Sequence, residues 1–171
     1  MTKTFTIAGD IDQELMHEMS EFYNELTPED KVYVFLCSDG GSSYSKEAIL
    51  NILEIYKDNT TLIGYGCLAS AAFELFMDYT GERQLTSTCC GMYHRAKTTI
   101  ALSSNGRARA EEDIFGQKEI KRVHWAYAEA LMSRLEMKPA DRKKIASGRD
   151  VYFTHEEMKN FLEISKNSQK S

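Results

Sequence analysis

From Thr4 to Ala8 apolar and polar residues alternate, the period of a strand with one face in water. Asp10 and Asp12 then offer helix caps, and Leu15, Met19, Phe22 and Leu26 recur at helical spacing. Thr27-Pro28-Glu29-Asp30 ends that helix. Val32 to Cys37 is almost continuously apolar and β-favouring, which predicts a strand buried on both faces. Ser38 to Ser42 reads as a tight turn. A second helix follows with Ala48, Ile49, Ile52, Leu53 and Tyr56 inward, then a strand over Thr60 to Tyr65. Gly66-Cys67-Leu68 leads into a short helix from about Ala69 to Tyr79.

Beyond Gly81 the pattern gives short strands at Gln84 to Thr86 and Gly91 to Tyr93, and a further strand over Lys97 to Leu102. Ser103 to Arg107 is a polar loop. A long amphipathic helix is predicted over about Ala110 to Glu136, with Ile120, Val123, Tyr127, Leu131 and Leu135 in one stripe. Pro139 starts a short basic helix, interrupted at Gly148-Arg149-Asp150. Thr154 and Glu157 have the spacing of a capping box for a last helix carrying Met158, Phe161 and Leu162. The tail 165–171 is polar. Strands alternating with helices in the first half point to an α/β fold with parallel strands and right-handed crossovers.

Composition narrows the function. A chain of 171 residues fits one domain, 1–171, with a sizeable core. A net charge of -5 argues against a broad phosphate-binding surface, so no nucleic-acid partner is expected. No apolar run is long enough to span a bilayer, and the N-terminus has no signal core, so the expected location is cytoplasmic. Cys37, Cys67, Cys89 and Cys90 form no Cys-x-x-Cys pair and read as thiols in a reducing compartment. Cys90 and His94 lie four apart, but no second pair joins them, so neither a metal nor another cofactor is expected.

Four places carry residues with chemical potential. Ser70 lies among small residues where a strand turns into a helix, a turn that exposes a hydroxyl beside free helix N–H groups. From that segment alone a plain helix cap is the commoner reading. Gly40-Gly41 allows a backbone to approach closely. His94 ends a strand, from which it could take a serine proton. Asp150 precedes an apolar triplet, where it could orient an imidazole.

The order and spacing of these pieces resemble the proteolytic subunit of the Clp protease family. That family has a Ser-Pro-Gly-Gly-Ser turn, a Gly-Gln-Ala-Ala-Ser-Met-Gly-Ala nucleophile segment, a Met-Ile-His segment and an Arg-Asp-Arg-Phe-type segment. The matching stretches are Ser38-Asp39-Gly40-Gly41-Ser42, Gly66 to Ala72, Met92-Tyr93-His94 and Arg149 to Phe153. Ile7 to Asp12 also resembles the family's first strand and turn, and the likeness runs from about Phe5 to Leu162. It implies a crotonase-like ββα spiral whose long helix projects as a handle. It implies a catalytic triad of Ser70, His94 and Asp150, with oxyanion donors on the amides of Gly40 and Ala71. It also implies a homo-oligomeric ring, heptameric or of two stacked rings, that encloses peptide or unfolded-protein substrates.

The departures are Asp39 in place of the turn's proline, Cys67 and Leu68 for Gln and Ala, and Ala71 for Met. The polar and basic run Arg95 to Arg109 replaces the family's glycine-rich substrate strand. The sequence opens almost at the first strand, so coupling to an AAA+ unfoldase, a partner the resemblance allows, is expected to be weak. Three readings follow: an active serine endopeptidase, a catalytically poor ring subunit with a structural or partner-binding role, and an acyl-CoA enzyme on the same fold. The first explains why serine, histidine and aspartate are all retained. The last leaves Ser70 and His94 unexplained.

Overall fold

The computed structural model describes residues 1–96 and 107–168, with side chains in the helix that starts at Arg107 described from Lys118 onward, Ile120 excepted. The strand expected over Lys97 to Leu102, the loop up to residue 106 and Ile120 of the stripe lie outside the described residues.

The chain opens as three strand–helix pairs. They are β1 (Thr2–Ile11), α1 (Gln13–Asn24), β2 (Lys31–Gly41), α2 (Ser43–Ile55), β3 (Thr60–Ala69) and α3 (Ala71–Asp78). Two short strands follow, β4 (Glu82–Leu85) and β5 (Cys90–Tyr93). Then come α4 (Arg107–Arg134), α5 (Pro139–Ala146), β6 (Val151–Phe153) and α6 (His155–Ser168). The sheet runs β1-β2-β3-β5-β6, with β4 also on β3. Every pairing is parallel except β5 with β6.

The long strands are each two segments joined at a kink. Register slips between Ala8 and Asp10 in β1, and between Leu36 and Ser38 in β2. β3 pairs β4 through Thr61 to Gly64 and β5 through Cys67 to Ala69. In the last repeat the kink opens into a turn, with the Thr86 N–H on Gly64 O and the Cys89 N–H on Thr86 O. Two strand segments followed by a helix is the ββα unit the resemblance implied. The Ser38 to Gly41 stretch, expected as a turn, continues β2 past the kink.

β2 differs from expectation on its faces. Val32, Val34 and Leu36 are buried, whereas Tyr33, Phe35 and Cys37 are only half-buried. Its β-favouring composition hid a simple alternation. The covered face packs on Met19, Ile49, Leu53, Phe73 and Phe76, the apolar sides of α1, α2 and α3. Polar tips inside are bonded: Tyr79 Oη donates to Thr60 O at 2.9 Å and Tyr23 Oη lies 3.1 Å from Thr60 Oγ1. Buried Arg83 donates to the carbonyls of Phe76 and Met77 at the end of α3, and to Ser165 Oγ on α6.

β6 was not foreseen as a strand. Three residues are held because Phe153 stacks on Phe73 at 5.6 Å and meets Phe161 edge-on at 5.0 Å. Each such pair is worth about 1 kcal/mol beyond the area buried. The predicted capping box closes α6: the Glu157 N–H donates to Thr154 Oγ1, and Glu157 Oε2 accepts from the Thr154 N–H.

The chain divides into two compact units, Met1–Tyr93 with β6 and α6, and His94–Asp150. In the second, α4 stops where Glu136 takes φ 51° and the Met137 N–H reaches back to Met132 O at 3.0 Å. Arg95 lies over Trp125, 5.4 Å from the ring centre. Of the expected α4 stripe, Leu131 and Leu135 are buried within the chain itself, and Val123 is 54% exposed.

Candidate active site

Ser70 stands between the last residue of β3 and the first of α3. Its backbone is at φ 54°, ψ -119°, a conformation that costs an L-residue of order 1–3 kcal/mol. Such strain persists only where the surroundings fix it. Here the Ser70 N–H donates to Met92 O on β5 at 2.9 Å, and Ser70 O accepts the Glu74 N–H at 3.1 Å. The side chain makes no capping bond to α3, although the residue occupies the cap position. That removes the plain-cap reading. Ser70 is half-buried at the positive end of the α3 dipole.

Gly40 packs against this junction. Its φ is +105°, and a Cβ there would lie 2.8 Å from Ser70 Cβ, 2.9 Å from Ala69 O and 3.0 Å from Ala71 N. Only glycine fits both the dihedral and the space. So the two expected oxyanion residues, Gly40 and Ala71, flank Ser70. The Gly40 N–H, however, already donates to Ser38 Oγ at 3.0 Å, and Ser38 Oγ in turn donates to Gly9 O. Nothing in the sequence marked Ser38, which looked like one more turn residue. Asp39 is exposed, and its charge reaches Cys67 on β3.

A second group missed in the sequence braces α3 from behind. Lys46 is almost fully buried, with Nζ 2.5 Å from Glu47, 3.5 Å from Glu74 and 3.8 Å from Asp78. Burial alone would lower its ammonium, but those three carboxylates hold it above its usual value. Tyr93 Oη donates to Glu74 at 3.0 Å, so α2, α3 and β5 meet in one polar knot. Its only sequence signal is helical spacing: Glu74 and Asp78 are four apart on α3.

His94 and Asp150 are brought together by strand pairing. Tyr93 and Val151 are register partners in the antiparallel β5–β6 ladder, so the residues one step outward face each other. His94 Nδ1 and Asp150 Oδ1 are 3.9 Å apart, within ion-pair range and beyond hydrogen-bond length. His94 is mostly buried, while the Asp150 side chain is 37% exposed. His17, His124 and His155 sit on α1, α4 and α6. Among the described residues no group of His, Cys, Asp and Glu has the arrangement of a metal site.

The Clp protease family profile matches residues 2–161. The chain belongs to the Clp protease family. As a member it is a protease-type subunit. Among solved structures it resembles a ClpP1 mutant from Listeria monocytogenes at 21% identity and a TM-score of 0.69, over 92% of this chain and 86% of that one. The likeness shows that the fold is shared, the crotonase-like α/β spiral. No curated protein matches the chain. No helix among the described residues is long and apolar enough to cross a membrane.

Proposed function

We propose that this Clp-protease-family chain is a serine endopeptidase subunit that cuts peptides or unfolded polypeptides inside a homo-oligomeric ring, with residues 1–171 acting as one domain. Ser70 Oγ attacks the scissile carbonyl, and His94 takes its proton and later returns it to the leaving amine. Asp150 orients the imidazole through Nδ1, which needs the 3.9 Å separation to close by about 1 Å to hydrogen-bond length. The amides of Gly40 and Ala71 receive the oxyanion. The observation that carries this reading is the strained Ser70 backbone, uncapped by its own hydroxyl and packed against a glycine that nothing larger could replace.

The ring is supported by the sheet's half-buried face, which carries Tyr33, Phe35, Ile63 and Tyr65. Parallel sheets are almost always covered on both faces, so a neighbouring copy is the natural cover. We place the ring in the cytoplasm. The direct test is turnover of a short fluorogenic peptide, with fluorophosphonate labelling, by wild type and Ser70→Ala. Labelling and turnover by wild type alone are expected. Equal turnover by both would remove Ser70 from the mechanism.

Two observations favour a second reading, a catalytically poor ring subunit with a structural or partner-binding role. The Gly40 N–H is committed to Ser38, and Asp39 puts a negative charge on the residue before it. Both work against an anion at that spot. Failure of fluorophosphonate to label a correctly assembled ring would decide for this reading.

A further inference from the structure

All four cysteines of the chain fall in or beside three neighbouring strands, β2, β3 and β5, and none of the proposed chemistry uses them. Cys67 and Cys90 are direct register partners at the first rung of the β3–β5 ladder. Adjacent strands lie roughly 4.8 Å apart. That falls inside the window of about 4.4–6.8 Å between Cα atoms that a disulfide requires. Register partners also point their side chains to the same side of a sheet. Both residues are half-exposed, and Cys90 is close enough to Cys67 to raise its thiol pKa.

The other two thiols are placed differently. Cys89 is fully buried, its sulfur sits 3.7 Å from Cys90 O, and burial pushes its thiol up to about 12. It is inert. Cys37 on β2 seats its sulfur over the backbone of Gly66, where a Cβ would lie 2.7 Å from Sγ. Only Cys67 and Cys90 face each other across one rung.

We propose that Cys67 and Cys90 are a thiol modification site: a low-molecular-weight disulfide such as oxidised glutathione closes them into an intrachain disulfide that fixes the strand junction displaying Ser70. The exchange balances. Deprotonated Cys90 Sγ attacks one sulfur of the reagent, the reagent's S–S bond breaks, and one small thiolate leaves. The Cys67 thiolate then attacks Cys90 Sγ and expels the second small thiolate. Two protons pass from the protein thiols to the two leaving thiolates, and two electrons pass from the protein to the reagent. Burial and the contact with Cys90 push the Cys67 thiol up to about 11, so Cys67 is the resolving partner rather than the first attacker.

The consequence for Ser70 follows from the shortness of the ladder. It has three rungs, Cys67↔Cys90, Leu68↔Gly91 and Ala69↔Met92, and the Ser70 N–H on Met92 O continues it. A covalent bond at the first rung restrains the two strands whose far ends hold the strained serine. Opening the Ser70 amide then requires bending a tethered pair instead of parting two strands. None of this requires Ser70 to be catalytically active.

The test uses the full chain, reduced and then equilibrated with oxidised glutathione, followed by free-thiol counting and peptide mapping. The expected result is loss of two thiols per chain and a single cross-linked peptide joining Cys67 to Cys90. Cys37→Ser should leave that product unchanged. Cys67→Ser should leave glutathione trapped on Cys90. Hydrogen exchange at the Ser70 amide should slow severalfold in oxidised wild type, a readout that needs no variant to fold. Retention of all four thiols, a Cys37–Cys67 link, or unchanged Ser70 exchange after oxidation would each overturn the proposal.

Discussion

The serine junction and the histidine–aspartate neck are built by opposite means. At Ser70 the geometry is set by backbone: a positive φ, an amide bonded across to Met92, and a glycine packed within 3 Å of neighbouring atoms. At His94 and Asp150 it is set by two side chains 3.9 Å apart, one of them over a third exposed. Backbone contacts are paid for once, on folding, and stay put. Side-chain contacts of this length adjust on binding, and catalytic hydrogen bonds commonly tighten only in the substrate complex. Under the proposed mechanism, Ser70 is thus prepared before substrate arrives, and the proposed acid–base pair of His94 and Asp150 is completed by it.

The largest break in this comparison is Ser70→Ala. It should lower peptide turnover by about 10⁴-fold or more and abolish fluorophosphonate labelling, with the oligomer unchanged by light scattering. Asp150→Asn attacks the adjustable side. It should cost up to about 10⁴-fold in kcat with the melting temperature nearly unchanged, because the aspartate is partly in water and carries little of the fold. A fall in melting temperature as large as a core mutant's would make Asp150 a structural residue instead.

Gly40→Ala attacks the fixed side without touching a reacting side chain. The new methyl meets Ser70 Cβ and Ala69 O, and the φ is hostile to it. A loss of about 2 kcal/mol in unfolding free energy is expected, together with loss of labelling. Full stability with full labelling would show that the junction is looser than its contacts. Ser38→Ala sharpens the comparison: it frees the Gly40 N–H at a cost of about 1–2 kcal/mol from the orphaned Gly9 carbonyl. Labelling should speed up severalfold. Slower labelling would mean that Ser38 holds the turn in its working shape. The smallest effect belongs to Asp39→Asn. An exposed charge near an oxyanion is worth roughly 1 kcal/mol, so a gain of about fivefold, shrinking with added salt, is expected in labelling rate.

How much of this the sequence disclosed depended on how local each signal is. The capping box at Thr154 and Glu157 was readable because both partners lie within one helical turn. Ser70, Gly40 and Ala71 were each weak alone, and their order along the chain is what singled them out. The neighbours that decide how they behave were not readable. Ser38 reaches Gly9 across a strand pair whose register slips at a kink, and no local pattern encodes that slip. Cys67 and Cys90 meet through a rung between strands with α3 and β4 between them in sequence. Nothing in the sequence singles out Lys46 on α2; three carboxylates from two helices make its burial tolerable. On α4 the stripe pattern was right in period, but it could not say that Leu131 and Leu135 are covered while Val123 is not.

The pairing of Tyr93 with Val151 makes the whole of 94–150 the loop of a β-hairpin. A loop of that length closes late. Each doubling of loop length adds about 0.6 kcal/mol to the entropy of closure, and contacts distant in sequence slow folding. The strands and helices up to β5 need no part of that loop to form their pairings. The proposed nucleophile should therefore take its place early in folding, and the proposed acid should arrive with β6 and α6 at the end. Pulse-labelled hydrogen exchange during refolding would show this as protection in β2 and β3 ahead of protection in β6. Simultaneous protection of both would mean that the hairpin closes as part of the folding nucleus.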